Sequence, residues 1–514
     1  MKQPRRWERQ LGLEDRDALQ RAIAQQLPAQ RWFGSKTRTL ERVTIEDTFV
    51  LSDTAAILLI RVTYTNPANE QTFVLPLTVS PPNSSSPEAS PRGVNAGFTL
   101  LLPGATDKPP VTVSDALHCG EACRQILAHL AAGSRLLGAG GELVFVPGAR
   151  LAGKPVSNLP SGEVLRAEQS NTSVSFADTY VLKVFRRLES GTQPELEVSA
   201  HLTARGFRHT PTLEGHIEYC SYADARRCSV AVLQSYVANH GDAWEYAAEQ
   251  LRSFVNHLST KGANKPSVTN FVGSARKLGH RTAELHSELA ADGGDPVWQP
   301  EAYDKEALHS WSDGALVFVE RAFRLLGQRL DQLSPAARAL CERVRSAEEQ
   351  IGSLFAEIPQ HDITVHRIRC HGDYHLGQVL WTGDDFIIID FEGEPTRSFE
   401  ERRRKHCALR DVASMVRSFH YATCFAASQE TSAARSLPPA LFREWYDVTR
   451  RAFLDAYRST AAAATYVPQS QTEWDWLMRV QLLEKAVYEL DYELNHRPDW
   501  VSIPAAGILQ LVDV

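Results

Sequence analysis

A chain of 514 residues is longer than one hydrophobic core usually organises, so two or three packed units are expected. Its net charge of −7 and isoelectric point near 6.2 argue against a nucleic-acid or anionic-membrane partner, since both require a concentrated basic surface. There is no apolar run long enough to span a bilayer, and no apolar stretch follows the basic start as in a secretory signal. The eight cysteines are scattered. Only Cys119 and Cys123 lie close together, without the Cys or His partners of a zinc site, so the reading is a cytoplasmic protein with reduced thiols.

The pattern predicts a helix over 14–30, then strands at Val43–Val50, Ala55–Tyr64 and Gln71–Val79. A Ser/Pro-rich break follows from Ser80, and residues 113–137 read as a helix. Strands return between Glu163 and Val237, interrupted by a helix from Pro194 to Ala204. Beyond residue 240 the periodicity is helical except for a strand-rich island, Val379–Phe391. The expected fold is α+β, with domains at 1–92, 93–238 and 239–514.

Common nucleotide motifs fail. Gly34-Ser-Lys-Thr37 lacks the first glycine of a P-loop, and Gly138-Ala-Gly-Gly141 lacks the third glycine of a dinucleotide fingerprint. The informative stretch is His371-Gly-Asp373-Tyr-His375-Leu-Gly-Gln378, followed by Phe386-Ile-Ile-Ile-Asp390-Phe-Glu392. An apolar strand ending on a carboxylate, folded back on Val379–Trp381, brings residue 378 beside 389–390. Phosphoryl transfer needs one carboxylate to orient or deprotonate the attacking hydroxyl, and oxygen ligands to hold Mg²⁺ across the phosphates. Gln378 and Asp390 follow Asp373 at spacings of 5 and 17, matching the kinase order of base, amide and metal-binding Asp. Asp373 is the expected base, Gln378 and Asp390 the expected Mg²⁺ ligands, and His371 and His375 loop braces. Asp384 and Asp385 read as turn residues.

Upstream, Lys183 sits inside the apolar strand Tyr180–Phe185, where an ammonium needs a partner; Glu197 on the following helix is the expected one. Before it, Gln169-Ser170-Asn171-Thr172-Ser173 reads as a small polar turn able to cradle phosphate. Ala231–Val237 reads as a hinge strand, with Gln234, Tyr236 and Val237 toward adenine. The charge run Glu400–Lys405 reads as a solvated helix face.

With these residues in order, the chain resembles the bacterial maltokinases, standalone or fused to trehalose synthase, in the aminoglycoside-phosphotransferase-like branch of the kinase fold. The resemblance runs almost end to end. It rests on Gln30–Lys36, Glu168–Ser173, Leu182–Arg186, Gly241–Trp244, His371–Gln378, Asp390–Pro395, Leu409–Ser418 and Leu483–Trp500. It implies a bilobal kinase-like fold with a β-rich N-terminal cap domain, and ATP and Mg²⁺ as cofactors. It also implies phosphorylation of maltose at the anomeric hydroxyl, feeding α-glucan synthesis from trehalose, with a possible trehalose synthase complex. The acceptor candidates are His371, Glu392 and Arg417, with Glu484, Tyr488, Tyr492, Arg497 and Trp500 of the C-terminal block. The competing readings are a related sugar or amino-sugar kinase such as a glucosamine kinase, and a catalytically silent pseudokinase.

Overall fold

The computed structural model describes residues 16–34, 38–65, 70–80, 99–102, 111–165, 170–259, 269–291, 293–428 and 439–512. The expectations placed on Gln169 and on Ser35–Thr37 lie outside these residues. The chain divides into two compact units. Met1–Ala204 with Pro211–Ala238 form the first, and Arg205–Thr210 with Asn239–Val514 form the second.

In the first unit, helix α1 (Arg16–Gln26) precedes strands β1 (Leu40–Val50), β2 (Ala55–Tyr64) and β3 (Glu70–Ser80), which pair antiparallel in that order. β4 (Thr99–Leu102) and β5 (Val111–Asp115) extend the sheet as β3-β5-β4, so it continues past residue 92. β2 is apolar almost throughout because both its faces are covered. Ala56, Leu58, Ile60 and Val62 pack with Leu19 and Ile23 of α1. Ala55, Ile57 and Leu59 share a second core with Leu127, Phe145, Leu182 and Leu233.

The helix expected over 113–137 is shorter. Val113–Asp115 end β5, where alternating β-branched residues favour a strand. Asp115 caps a 3₁₀ turn through Leu117 N (3.0 Å), and α2 runs Gly120–Ala132 to the left-handed Gly133. β6 (Arg135–Leu137) and β7 (Gly141–Pro147) follow.

The second sheet adds β8 (Glu163–Val164), β9 (Asn171–Phe176) and β10 (Tyr180–Phe185). β11 (Arg187–Leu188) and α3 (Pro194–Ala204) come next, then β12 (Leu213–Ser221) and β13 (Arg227–Ser235). Its strand order is β6-β7-β12-β13-β10-β9-β8. β11 leaves β10 and pairs with β3, joining the lysine strand to the first sheet.

Two polar clasps reinforce that junction. The Gly138–Gly141 turn is a carboxylate nest filled from within the chain. Ala139 N (2.7 Å) and Gly140 N (2.9 Å) donate to Asp47, and a Cβ at Gly138 would lie 2.3 Å from that carboxylate. Arg186, fully buried, donates to Thr172 Oγ1 (2.9 Å) and Asp115 Oδ2 (2.5 Å) and stacks on Trp32.

In the second unit, α4 (Ala243–Ser259), α5 (Thr269–Leu289), α6 (Lys305–Arg329), α7 (Pro335–Ser346) and α8 (Glu348–Ala356) precede the strand-rich island. After it come the single turn α9 (Phe399–Arg402), α10 (Leu409–Ser428), α11 (Pro439–Thr460), α12 (Gln471–His496) and α13 (Ser502–Val512). Ser470 and Asp304 cap α12 and α6 by accepting from Glu473 N and Ala307 N. One core unites α6, α7, α8, α12 and α13. The island is a hairpin in which Val379, Leu380 and Trp381 pair with Ile388, Ile387 and Phe386. Asp385 does more than turn the chain: Arg281 of α5 grips it at 3.0 and 2.7 Å.

Candidate active site

The loop 371–378 is built on buried anchors. Asp411, in the first turn of α10, accepts from His371 N (2.7 Å) and Gly372 N (3.0 Å), and His286 Nε2 lies 3.1 Å from it. Burial pushes the Asp411 carboxyl up, but the bond from His286 and the charge around it hold it below its ordinary value. Gly372 takes φ +88°, a turn that only glycine makes freely, and this sets the chain up for Asp373. Tyr374, fully buried, bonds Thr282 (3.0 Å), and Leu376 N donates to Ser418 Oγ (3.1 Å).

The hairpin then closes onto the loop. Ile389 N donates to Gln378 O (3.0 Å), and His371 Nε2 lies 2.9 Å from Ile389 O. Gln378 is thereby adjacent in space to Asp390. Among the described residues the Gln378 side-chain amide has no partner. Asp390 itself stands at φ +66°, a left-handed conformation rare for a non-glycine residue and concentrated at functional sites. An amide oxygen and a carboxylate are the hard donors that Mg²⁺ prefers, so this pair fits the ion.

Around Asp373 lies a cluster the sequence did not disclose. Lys485 of α12 reaches Asp373 Oδ1 (3.4 Å) and Glu394 Oε1 (2.9 Å). Glu394 also holds Arg397 and Arg410, each at 2.7 Å, and Arg397 bridges on to Glu484 (3.2 Å). Burial alone would raise the Glu394 carboxyl; Lys485, Arg410 and Arg397 together hold it well below the carboxylate range. Burial likewise opposes the Lys485 charge, which Glu394 and Asp373 more than restore. Tyr488, beside Lys485, is pushed up to about 12 by burial and by Glu394. Lys485 thus fixes the place of the Asp373 carboxylate. Lys485→Met is expected to lower kcat by roughly 10²-fold through a misplaced carboxylate, with the KM for ATP little changed. Lys485→Arg should recover part of that loss. Melting curves taken alongside will separate this from unfolding, because Glu394 keeps two guanidinium partners.

The remaining expected acceptor residues do not gather in one place. Glu484 and Tyr488 lie on the Lys485 side of α12, Tyr488 bonding Thr396 (3.5 Å). Arg497 comes 13 residues after Glu484, about 20 Å along the helix at ~1.5 Å per residue, too far for one sugar ring to touch both. At that far end Arg497 pairs with Glu493 and stacks on Tyr492 and Trp500. Arg417 is buried and bound by Glu489 (2.8 and 2.6 Å). His371 is buried against Tyr374 and Phe391. The backbone carbonyl of Glu392 accepts from Arg402 (3.2 Å).

In the first unit, Lys183 is buried on β10 between Ser173 and Val232 of its neighbours. The expected turn at 169–173 is instead strand from Asn171 onward, with Asn171, Thr172 and Ser173 buried and only Ser170 before it. Its run of β-branched and small residues pairs with β10, and Arg186 occupies the Thr172 hydroxyl. Glu197 stands half-buried in the first turn of α3. The Gln234 side chain turns toward α3, donating to Glu195 (2.7 Å) and Ser199 (3.1 Å), while Tyr236 N donates to Thr179 O and Val237 follows it.

Residues 161–393 match the model of the phosphotransferase enzyme family, and residues 27–94 match that of the maltokinase N-terminal cap domain. Residues 161–393 thus carry a phosphotransferase-family domain. This phosphotransferase is 27% identical over 355 residues to a glucosamine kinase of Mycolicibacterium smegmatis, covering 68% of this chain and 79% of that one. A glucosamine kinase of Streptacidiphilus jiangxiensis is 25% identical over 388 residues, covering 75% and 80%. A solved glucosamine kinase in complex with glucosamine, ADP and inorganic phosphate superposes over 99% of both chains with a TM-score of 0.65 at 19% identity, a likeness of fold. No helix among the described residues is long and apolar enough to cross a membrane.

Proposed function

We propose that this phosphotransferase transfers the γ-phosphoryl group of ATP to the anomeric hydroxyl of maltose, giving maltose 1-phosphate. Asp373 orients the hydroxyl and accepts its proton, held in place by Lys485. Lys183, oriented by Glu197, pairs with the α- and β-phosphates, and the strand ending at Val237 carries the adenine contacts. Gln378 and Asp390 hold Mg²⁺, which neutralises charge on the phosphates when bound. The enzyme works in the cytoplasm, supplying α-glucan synthesis from trehalose, with trehalose synthase as its candidate partner.

The choice of a neutral sugar over an amino sugar is carried by the charge around Asp373. Glu394 is already matched by Lys485, Arg397 and Arg410, and Glu484 by Arg397. Asp373, Glu394 and Glu484 thus face three cations, which leaves no surplus negative charge for a sugar ammonium. The cap-domain match supports the same choice. The test offers ATP and Mg²⁺ with maltose, glucose, glucosamine and an aminoglycoside, and locates the phosphate by NMR. Maltose 1-phosphate is the expected main product. Turnover of glucosamine alone would overturn the reading in favour of the activity named for the two relatives, and no turnover would favour a pseudokinase.

A further inference from the structure

A cavity of about 130 Å³ opens in the second unit beside the N-terminal half of α12. Asp373, Gln378, Asp390 and Lys485 are absent from its lining, and Arg397 with Glu484 forms the wall on that side. The charge run expected to be a solvated helix face supplies part of it. The helix there ends at Arg402, and Arg404 and Lys405 line the cavity beyond it.

Three kinds of group meet there. Gln481 is only 4% exposed, and its Oε1 is buried with no hydrogen-bond partner. A buried acceptor left open in this way calls for a donor such as a hydroxyl. Arg367, Arg404 and Arg410 supply guanidiniums. The Arg367 Nε is also buried without a partner, and the Arg404 guanidinium, with Arg397, lowers the carboxyl of Glu401 in the same lining. The third group is an aromatic face, Trp311 stacked on Tyr303 at 5.8 Å. Gly314 of α6 opens onto the same space: a Cβ there would meet nothing within 4 Å. His406 on the wall is held well below its ordinary value by burial and then by Arg410 and Arg397, a sign of positive potential.

We propose that this cavity is a second ligand site, apart from the catalytic loop, that takes a phosphorylated sugar. The phosphoryl group meets Arg404 and Arg410, the ring lies on Trp311, and a ring hydroxyl donates to Gln481 Oε1. Guanidinium groups match phosphate oxygens in geometry, and an aromatic face with an amide suits a sugar ring. Arg410 also holds Glu394, so an anion bound here touches the same network that holds Asp373.

The test is calorimetric titration of the full chain, without ATP, with glucose 6-phosphate, glucose and inorganic phosphate. Glucose 6-phosphate is expected to bind one to one, at least about ten-fold tighter than either fragment. Gly314→Leu, which fills the cavity on a helix that gains by losing a glycine, should weaken that binding at least about ten-fold, and Arg404→Gln should do the same. In both variants kcat and the KM for maltose should stay within about two-fold of the parent. Binding that neither variant changes, or phosphate binding as tight as the sugar phosphate, would overturn the proposal. A raised KM for maltose in Gly314→Leu would also overturn it, by making the cavity part of the acceptor site. Because the titration contains no ATP, a failure of the maltose reading leaves its outcome untouched.

Discussion

Asp373→Asn is expected to lower kcat by roughly 10²–10⁴-fold while leaving the KM for ATP within about two-fold. The amide has the shape of the carboxylate but cannot take a proton from the acceptor hydroxyl. The loop should survive the change, because its anchors lie elsewhere. Asp411 holds the backbone at His371 and Gly372, Ser418 holds Leu376, and Gln378 is tied to Ile389. Lys485 loses one partner but keeps Glu394 at 2.9 Å, so no buried ammonium is left alone. Single-turnover kinetics with saturating ATP would show the loss in the chemical step. A variant running at the parental rate would remove Asp373 from the role of base.

This contrast between the loop and its surroundings sets what the sequence can reveal. Asp373, Gln378 and Asp390 fall within one short segment, and a hairpin with its own turn residues closes it, so their juxtaposition follows from local rules. The groups that hold them are remote. Lys485 lies 112 residues from Asp373, and Asp411 lies 40 from His371. No periodicity encodes such pairs. One available signal was a carboxylate leading into a mostly apolar helical stretch, as at Asp411 before Val412–Val416.

The same limit explains the errors in elements. α2 has a clear apolar stripe from Ala122 to Ala131, and its period hid the strand that ends just before it. The 170–173 segment looked like a turn because it is polar, whereas pairing with the lysine strand decides its conformation. The C-terminal block was legible as helix but not as a site. Sequence spacing gives the face of a helix, yet which turn of that face reaches Asp373 depends on packing against α10 and on Glu394.

Asp390→Asn should separate the backbone role of this residue from its chemical one. At φ +66° the position excludes most side chains, and asparagine is among the few residues that tolerate it. The variant should therefore fold with a melting temperature close to the parent. It loses the negative oxygen, leaving an uncharged donor beside the Gln378 amide. The expected result is a fall in kcat of at least about 10²-fold, equivalent to ~2.7 kcal/mol of transition-state stabilisation. The Mg²⁺ concentration for half-maximal rate should rise with it. Asp390→Ala is the informative control, since it removes the carboxylate and also strains the backbone by ~1–2 kcal/mol, adding a loss of stability to the loss of rate. If Asp390→Asn kept both the parental rate and the parental Mg²⁺ requirement, the left-handed turn at Asp390 would be a feature of the hairpin alone, and the metal ligand would have to be sought elsewhere.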